Sequence, residues 1–439
     1  MSVAARSIGE ALVAVAGRER VRDDAAALDA ATVDGLRPRW VARPASLDEL
    51  SPILAVAADS RLAVVPRGSG SSLELGHPPS RLDLVLDLAG LDQVIEYNPD
   101  DLTITVQAGI SAGALAARLA PHRQWLALDP PGAATRTVGG IVATNASGPR
   151  RARYGTSRDL LLGVRFVQAD GVVTWGGSKV VKSVSGYDVP KLMVGALGTL
   201  GVLAEVTLRL HPLPDAERSW LVLFENARSA QALAERVVDS ALQPSRLELF
   251  NARALQLVSA EFAGAGVAIS IGSVDAAVRE QGERLTALAR SSAGRVVPLP
   301  EGFWGAAESA MAPTESAAVL HVATLADRLA GTIGAIEDAF GIVAPHADVR
   351  LAGCAPLGTL RAVVAGATAA ETAAVTARIR ALVDEVGGSV VVARGPFELR
   401  RAIDPWGPVE PKALALMRAL RDEFDPGRVL NPGRYVGGL

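Results

Sequence analysis

The stretch VVPRGSGSSLELG, residues 64–76, sets glycines and serines directly behind an apolar run that ends in a proline. Successive backbone N–H groups freed by glycine conformations converge into a nest for an anion, and Ser69, Ser71 and Ser72 add hydroxyl donors. A pyrophosphate suits that chemistry, and a tight surface turn is the other reading of the same residues. Two common phosphate loops are excluded. Gly68 and Gly70 match the first glycines of a G-x-G-x-x-G dinucleotide fingerprint, but Leu73 stands third and LELGHPP does not begin a helix. No Gly-Lys-Ser/Thr follows, so a Walker loop fails as well.

Two further stretches share this character. DPPGAATRTVGGIVATNASG (129–148) carries Pro131, Gly132, Gly139, Gly140 and Gly148 among Thr137, Thr144, Asn145 and Ser147. With so few large side chains it makes little core, and its missing Cβ atoms let a flat or extended molecule pack on the chain. KVVKSVSGYDVPKLMVGALGTLGVLAEV (179–206) is again punctuated by glycine just before a strand. Three such slots in one strand-rich region imply a long ligand threaded through it, about the size of a dinucleotide.

Groups for acid–base or metal chemistry are scarce. The five histidines, His77, His122, His211, His321 and His346, fall in no H-x-x-x-H spacing. His321 in AAVLHVAT reads as a hydrogen-bonded sheet residue, and His346 as a turn residue. The single cysteine, Cys354, reads as a small buried hydrophobe. One cysteine allows no internal disulfide and no zinc or iron–sulfur cluster, so no metal is expected. Arg400 and Arg401 in FELRRAID are forked donors able to clamp a carboxylate, or else helix-surface or interdomain charges. Tyr187 and Asp188 read as a turn. The catalytic residues stay unknown.

The elements that must position these loops follow from periodicity. LDELSPILAVAA (47–58) has a helical apolar stripe, and LAVVP follows it as a strand. LDLVLDL (82–88) places Leu82, Leu84, Leu86 and Leu88 on one side. LTITVQAG (102–109) and VLAEVTLRL (202–210) alternate, the latter with Val202, Ala204, Val206, Leu208 and Leu210 inward. Residues 163–177 read as a hairpin around Asp170-Gly171. Beyond the proline-rich exit HPLPDAE (211–217), strand-like runs at 219–225, 266–272, 359–366 and 389–394 alternate with helical stretches, as in an α+β domain with an antiparallel sheet. The end, FDPGRVLNPGRYVGGL, is two turns in succession.

Bulk properties narrow the class. Hydrophobic residues at 49% and charged residues at 21% make an ordinary globular balance. A net charge of -3, without basic runs, argues against nucleic acid or an anionic membrane as the main partner. The apolar run near the start is too short for a membrane span and poor for a signal peptide, so no transmembrane segment and a cytoplasmic location are expected, at most peripheral to a membrane through partners.

VVPRGSGSS, DPPGAATRTVGGIVATNASGPRRARYGTSRDLLLGVRFVQADG, GYDVPKLMVGALGTLGVLAEVTLRLHP and FDPGRVLNPGR together resemble, in order and spacing, the FAD-binding domain of the vanillyl-alcohol-oxidase or PCMH-type flavoproteins. Within that family the likeness is to FAD-binding subunits of bacterial glycolate oxidases. The resemblance implies an α+β protein, with a two-lobed FAD-binding domain over 1–213, a smaller α+β cap over 214–400, and a segment 401–439 returning to the first domain. It implies that Pro66, Arg67, Gly68, Ser69, Gly70, Ser71 and Ser72 wrap the FAD pyrophosphate. Pro131, Thr137, Gly139, Gly140, Asn145, Ser147 and Gly148 would line the flavin and its phosphates. Gly155, Gly201 and Val202 would back the cofactor, and Asn431 would return to the isoalloxazine ring. Some members tether flavin through a histidine where this chain has Ser71, so non-covalent FAD is expected.

Relatives that oxidise 2-hydroxy acids alone commonly carry a histidine-rich metal site and a Glu-His-Gly segment. Here the matching stretch reads IDPWGPVEPKALALM (403–417), without histidine. Three readings follow. The chain is an FAD-carrying subunit of a glycolate-oxidase-like complex, exchanging electrons with flavoprotein and iron–sulfur partner subunits. Alternatively it is a self-sufficient 2-hydroxy acid dehydrogenase or oxidase, or a flavin-bound structural subunit.

Overall fold

The computed structural model describes residues 3–178 and 186–439. Part of the third glycine stretch, 179–185, lies outside the described residues. The chain forms two compact units, one of residues 1–147, 155–213 and 409–439, the other of 148–154 and 214–408.

The first unit is built on two larger sheets, beside the short antiparallel pair Gln124–Trp125 and His211–Pro212. The first has the order Val21–Arg22, Trp40–Ala42, Leu84–Asp87, Val64–Arg67, and its last three strands are parallel. Leu84–Asp87 lies inside this sheet. Its leucines were expected on one buried side, yet Val85 between them is as fully buried as Leu84 and Leu86. A parallel strand is covered on both faces, which erases the period-two signal. The helix Leu47–Asp59 packs here as its stripe requires, with Leu50, Ile53, Leu54 and Ala57 buried. Ser46 caps it by accepting from Glu49 N, and the Glu49 carboxylate accepts from Ala45 N.

The second sheet is antiparallel, in the order Val94–Asn98, Thr103–Gln107, Val202–Arg209, Leu161–Val167, Val173–Gly177. The Asp170-Gly171 hairpin forms, with Gly171 at φ 90° and the Asp170 carboxylate accepting from Val172 N. The single inward phase expected for 202–210 breaks at an irregularity between Leu203 and Glu205. Val202 and Ala204 pack in the apolar core of the parallel sheet, whereas Leu203, Val206 and Leu208 pack in that of the antiparallel one. One residue out of register turns a strand over, and here it joins two cores.

The second unit is an antiparallel eight-stranded sheet. Its order is Arg295–Val297, Ala216–Phe224, Ala265–Ser273, Arg246–Phe250, Asp348–Cys354, Thr359–Ala365, Ala318–Ala323, Ser389–Arg394. Helices Ala227–Val238, Asp275–Arg290, Leu329–Val343 and Ala369–Asp384 share one apolar core with one face. Ala252–Val258 and Phe303–Ala310 pack on the other. Residues 401–408 belong to this unit, where Val392 N donates to Pro405 O at 2.7 Å and Arg380 donates to Asp404 O.

Candidate functional site: a glycine-lined cradle in the first unit

Strand Val64–Arg67 delivers the first glycine loop. The C-terminal tail runs beside it, with Val64 N donating to Val429 O at 2.7 Å and Asn431 N to Val64 O at 2.8 Å. Gly68 then passes close to the second stretch. A Cβ there would sit 2.1 Å from Thr137 Oγ1. That hydroxyl is not free to move aside, because it caps helix Val138–Thr144 by accepting from Gly140 N. Among the described residues, the N–H groups of Gly68, Ser69, Gly70, Ser71 and Ser72 have no acceptor within the chain. Gly70 is left-handed at φ 79°. Consecutive unused donors around such a residue are what an anion nest requires, so the loop fits a phosphate group.

The second stretch is held on both sides. Gly139 N donates to Ala108 O at 2.7 Å, and a Cβ at Gly139 would meet the Ala108 Cβ at 2.6 Å. A Cβ at Gly140 would meet only the Thr137 hydroxyl, so that side of the helix start is open to a ligand. Asn145 closes the helix in the left-handed region, φ 48°, with its side chain exposed. The described part of the third stretch lies along the same helix, with Gly195 N donating to Val142 O and Leu197 N to Ala143 O. At Gly198, φ 67°, a Cβ would come within 3.0 Å of Pro66. Asn431, 4% exposed, donates its amide to Leu197 O. Pro66, Gly68, Thr137, Gly198 and Asn431 are thus gathered from four separate segments.

Other expected residues sit elsewhere. The Arg67 guanidinium turns to Asp87, 3.1 Å away, and to Ala30 O. Ser72 Oγ accepts from Arg136, which also donates to Pro131 O at 2.7 Å, while Ser69 and Ser71 are exposed. Gly155, at φ 83°, turns the chain beside Asp159, whose carboxylate completes a capping box with Thr156. Gly201 lies against the Phe166 ring, and Val202 is 1% exposed and paired with Val167. Ser147 ends one segment of the first unit, and Gly148 begins the segment assigned to the second.

Sequence reasoning missed the braces. Arg421, the buried residue of helix Pro411–Phe424, donates to Thr199 O and Leu430 O and pairs with Asp425 at 3.0 Å. The Asp425 carboxylate accepts from Val429 N and Leu430 N. Burial pulls the Arg421 pKa down to about 10, with the Asp425 charge opposing that fall. Arg434, 4% exposed, donates to Leu73 O and Leu75 O. The only local hint is the spacing Arg421 to Asp425, one helical turn.

Residues 38–177 match the family described as FAD binding domain, and residues 213–435 match FAD linked oxidases, C-terminal domain. The chain belongs to the FAD-linked oxidases; it is a flavoprotein oxidoreductase whose cofactor is FAD. Among its relatives, glycolate oxidase subunit GlcD of Bacillus subtilis is 28% identical, covering 98% of this chain and 96% of that protein. D-2-hydroxyglutarate dehydrogenase of Xanthomonas citri pv. viticola is 28% identical over 90% and 89%. A solved structure of p-cresol methylhydroxylase with substrate bound superposes at a TM-score of 0.82, covering 99% of this chain and 97% of that one. At 14% identity that likeness is one of fold, and it agrees with the expected PCMH-type architecture. Among the described residues no helix is long and apolar enough to cross a membrane.

Proposed function

We propose that this chain is the FAD-carrying subunit of a glycolate-oxidase-like complex acting on 2-hydroxy acids. The observation that carries the reading is the end-to-end similarity to a glycolate oxidase subunit, joined to a first unit with a glycine-lined cradle. Bound FAD would supply a redox group that takes up electrons and passes them on. The chain's own residues bind and orient it. The N–H groups of residues 68–72 take the diphosphate, and the open face at Gly140 with Asn145 and Ser147 borders the cofactor. Asn431 is set from the tail, while Pro66, Gly139, Gly201 and Val202 support the seat from behind. Arg67 acts through Asp87 as a brace. With serine at position 71, FAD is held without a covalent bond.

Partner subunits, one a flavoprotein and one bearing iron–sulfur clusters, receive or deliver the electrons, since a single cysteine cannot ligate such a cluster. The self-sufficient reading draws support from the similarity to a dehydrogenase of D-2-hydroxyglutarate along most of both chains. Anaerobic visible spectra of the purified chain, before and after glycolate and then D-lactate, separate the two. Flavin that stays oxidised supports the subunit reading. Prompt bleaching means the chain oxidises its substrate alone.

A further inference from the structure

One edge of the eight-stranded sheet is left half open. Strand Ala216–Phe224 pairs along its whole length with Ala265–Ser273 on one side. On the other side Arg295–Val297 covers only Leu221, Val222 and Leu223, and Pro298, which has no N–H to donate, follows Val297. The direction of the uncovered backbone groups follows from Ser270. Its carbonyl accepts from Ser245 N on the far side, so its backbone groups turn that way, and Ser219 opposite it turns its own outward. The Ser219 and Ser270 hydroxyls lie 2.7 Å apart, as suits a pair that exchanges no backbone hydrogen bonds and holds its side chains close. Glu217, two residues along, points its backbone the same way. Among the described residues the outward N–H groups of Glu217 and Ser219 have no acceptor.

This edge runs beside a groove of about 550 Å³. Arg218 and Trp220 form its strand wall, and one stripe of helix Asp275–Arg290 forms the other. The stripe is small in the middle, at Gly282, Thr286 and Ala287, and a Cβ at Gly282 would meet the Trp220 ring at 2.5 Å. Arg279 and Arg290 join Arg218 as exposed guanidiniums along the groove. Asp275 pairs with both Arg218, at 3.3 Å, and Arg279, at 3.2 Å, and Glu283 is the carboxylate in the lining, so the groove keeps a net positive charge. On the other face of the strand the Trp304 indole donates to Ser219 Oγ at 3.0 Å, and its half-buried ring stands beside the edge.

A second copy of the chain does not suit this edge. In antiparallel self-pairing the outward residues must meet one another, which leaves two-fold axes at 217, 218 or 219. The first sets Glu217 opposite Glu217, the second Arg218 opposite Arg218, and the third Glu217 opposite Leu221, which Val297 already holds. We propose instead that the edge takes up an extended acidic segment of a partner protein as an added strand. A carboxylate opposite Arg218 falls into the arginine-lined groove, and the apolar residues that alternate with it lie against Trp304. That this partner belongs to the complex proposed above rests on that reading.

The test is fluorescence anisotropy of the FAD-loaded chain with a rhodamine-labelled, capped peptide of alternating valine and glutamate at low ionic strength. Wild type should bind it, and the peptide with lysine in place of glutamate should not bind. With glutamate opposite Arg218, the valine N–H groups face Glu217 and Ser219. N-methylation of the valines should therefore abolish binding, and N-methylation of the glutamates should leave it. R218E should bind at least about ten-fold more weakly. S219P, which removes an outward N–H and none of the ladder to Ala265–Ser273, should lose as much, while S219A binds as wild type does. The methylated peptides act on unaltered protein, so the outcome stands should a variant misfold. No binding by wild type, or equal binding of the two methylated peptides, overturns the proposal. So does a dimer in sedimentation that R218E dissociates, which makes the occupant a second copy. Peptide binding by a chain that oxidises glycolate alone keeps the docking edge and removes the subunit reading. Flavin that stays oxidised in a chain that ignores the peptide does the reverse.

Discussion

Asp425→Ala removes the anchor of the closing tail. In the folded chain the carboxylate is fully buried, pairs with Arg421 at 3.0 Å, and accepts from Val429 N and Leu430 N. The alanine variant leaves the Arg421 charge uncompensated and two buried N–H groups without acceptors. Breaking a buried ion pair from one side costs about 3–5 kcal/mol, and the N–H losses fall within that figure because the groups act as one network. At about 2–4 °C per kcal/mol for a unit of this size, the first unit should melt about 6–20 °C lower. Asp425→Asn keeps one carbonyl acceptor and should fall between the two. The assay is thermal unfolding by circular dichroism with flavin fluorescence recorded in parallel. Because the tail sets Asn431 and runs beside Val64, flavin release should move down with the first transition. A loss below about 1 kcal/mol, or flavin release that stays at the wild-type temperature, would refute the bracing role of this pair.

Three further expectations concern the cradle and the second unit. Gly68→Ala should weaken FAD binding at least about ten-fold with the far-ultraviolet spectrum unchanged, because its Cβ collides with the Thr137 hydroxyl. Thr137→Ala in the same chain should restore part of the affinity, and an unaltered Kd in the single variant would contradict the contact. Acid precipitation should release all the flavin into the supernatant; yellow colour in the pellet would mean a covalent bond. The Glu371 carboxyl is held below its usual range by Thr368 N and the Thr368 hydroxyl, which donate to it at the start of helix Ala369–Asp384. Its folded pKa is depressed, so this stabilisation is full above the unfolded value of about 4.3 and is lost as pH falls through the folded one. Glu371→Gln should therefore flatten the fall in stability of the second unit on acidification through that range, and an identical acid profile would count against the cap.

Glycine and serine announce themselves locally, which is why residues 66–72 and 129–148 could be read directly as ligand-facing loops. What holds those loops is not local. Arg136 reaches Ser72 across 64 positions, Arg421 reaches Thr199 across 222, and Arg434 reaches Leu73 across 361. No periodicity over a short window can reveal such contacts, and each arginine looks in sequence like a surface charge. The pairing of Arg67 with Asp87, 20 positions further on, is likewise invisible in the loop's own sequence. The period-two reading of residues 82–88 failed at Leu84–Asp87 because both faces of that strand are buried, and Ala265–Ser273, also buried on both faces, was legible as a continuous apolar run rather than by alternation. The strand Arg246–Phe250 is short and carries Arg246 and Glu248 on the face away from the main core, so its apolar signal is thin.

The seat of the cofactor is tested most directly by amide hydrogen exchange of the chain stripped of FAD and then reloaded. The account predicts that FAD slows exchange in residues 68–72, at Gly140 and 145–147, and around Asn431, with the buried Gly201–Val202 backbone little changed. Protection spread evenly over the chain, or absent from residues 68–72, would contradict it.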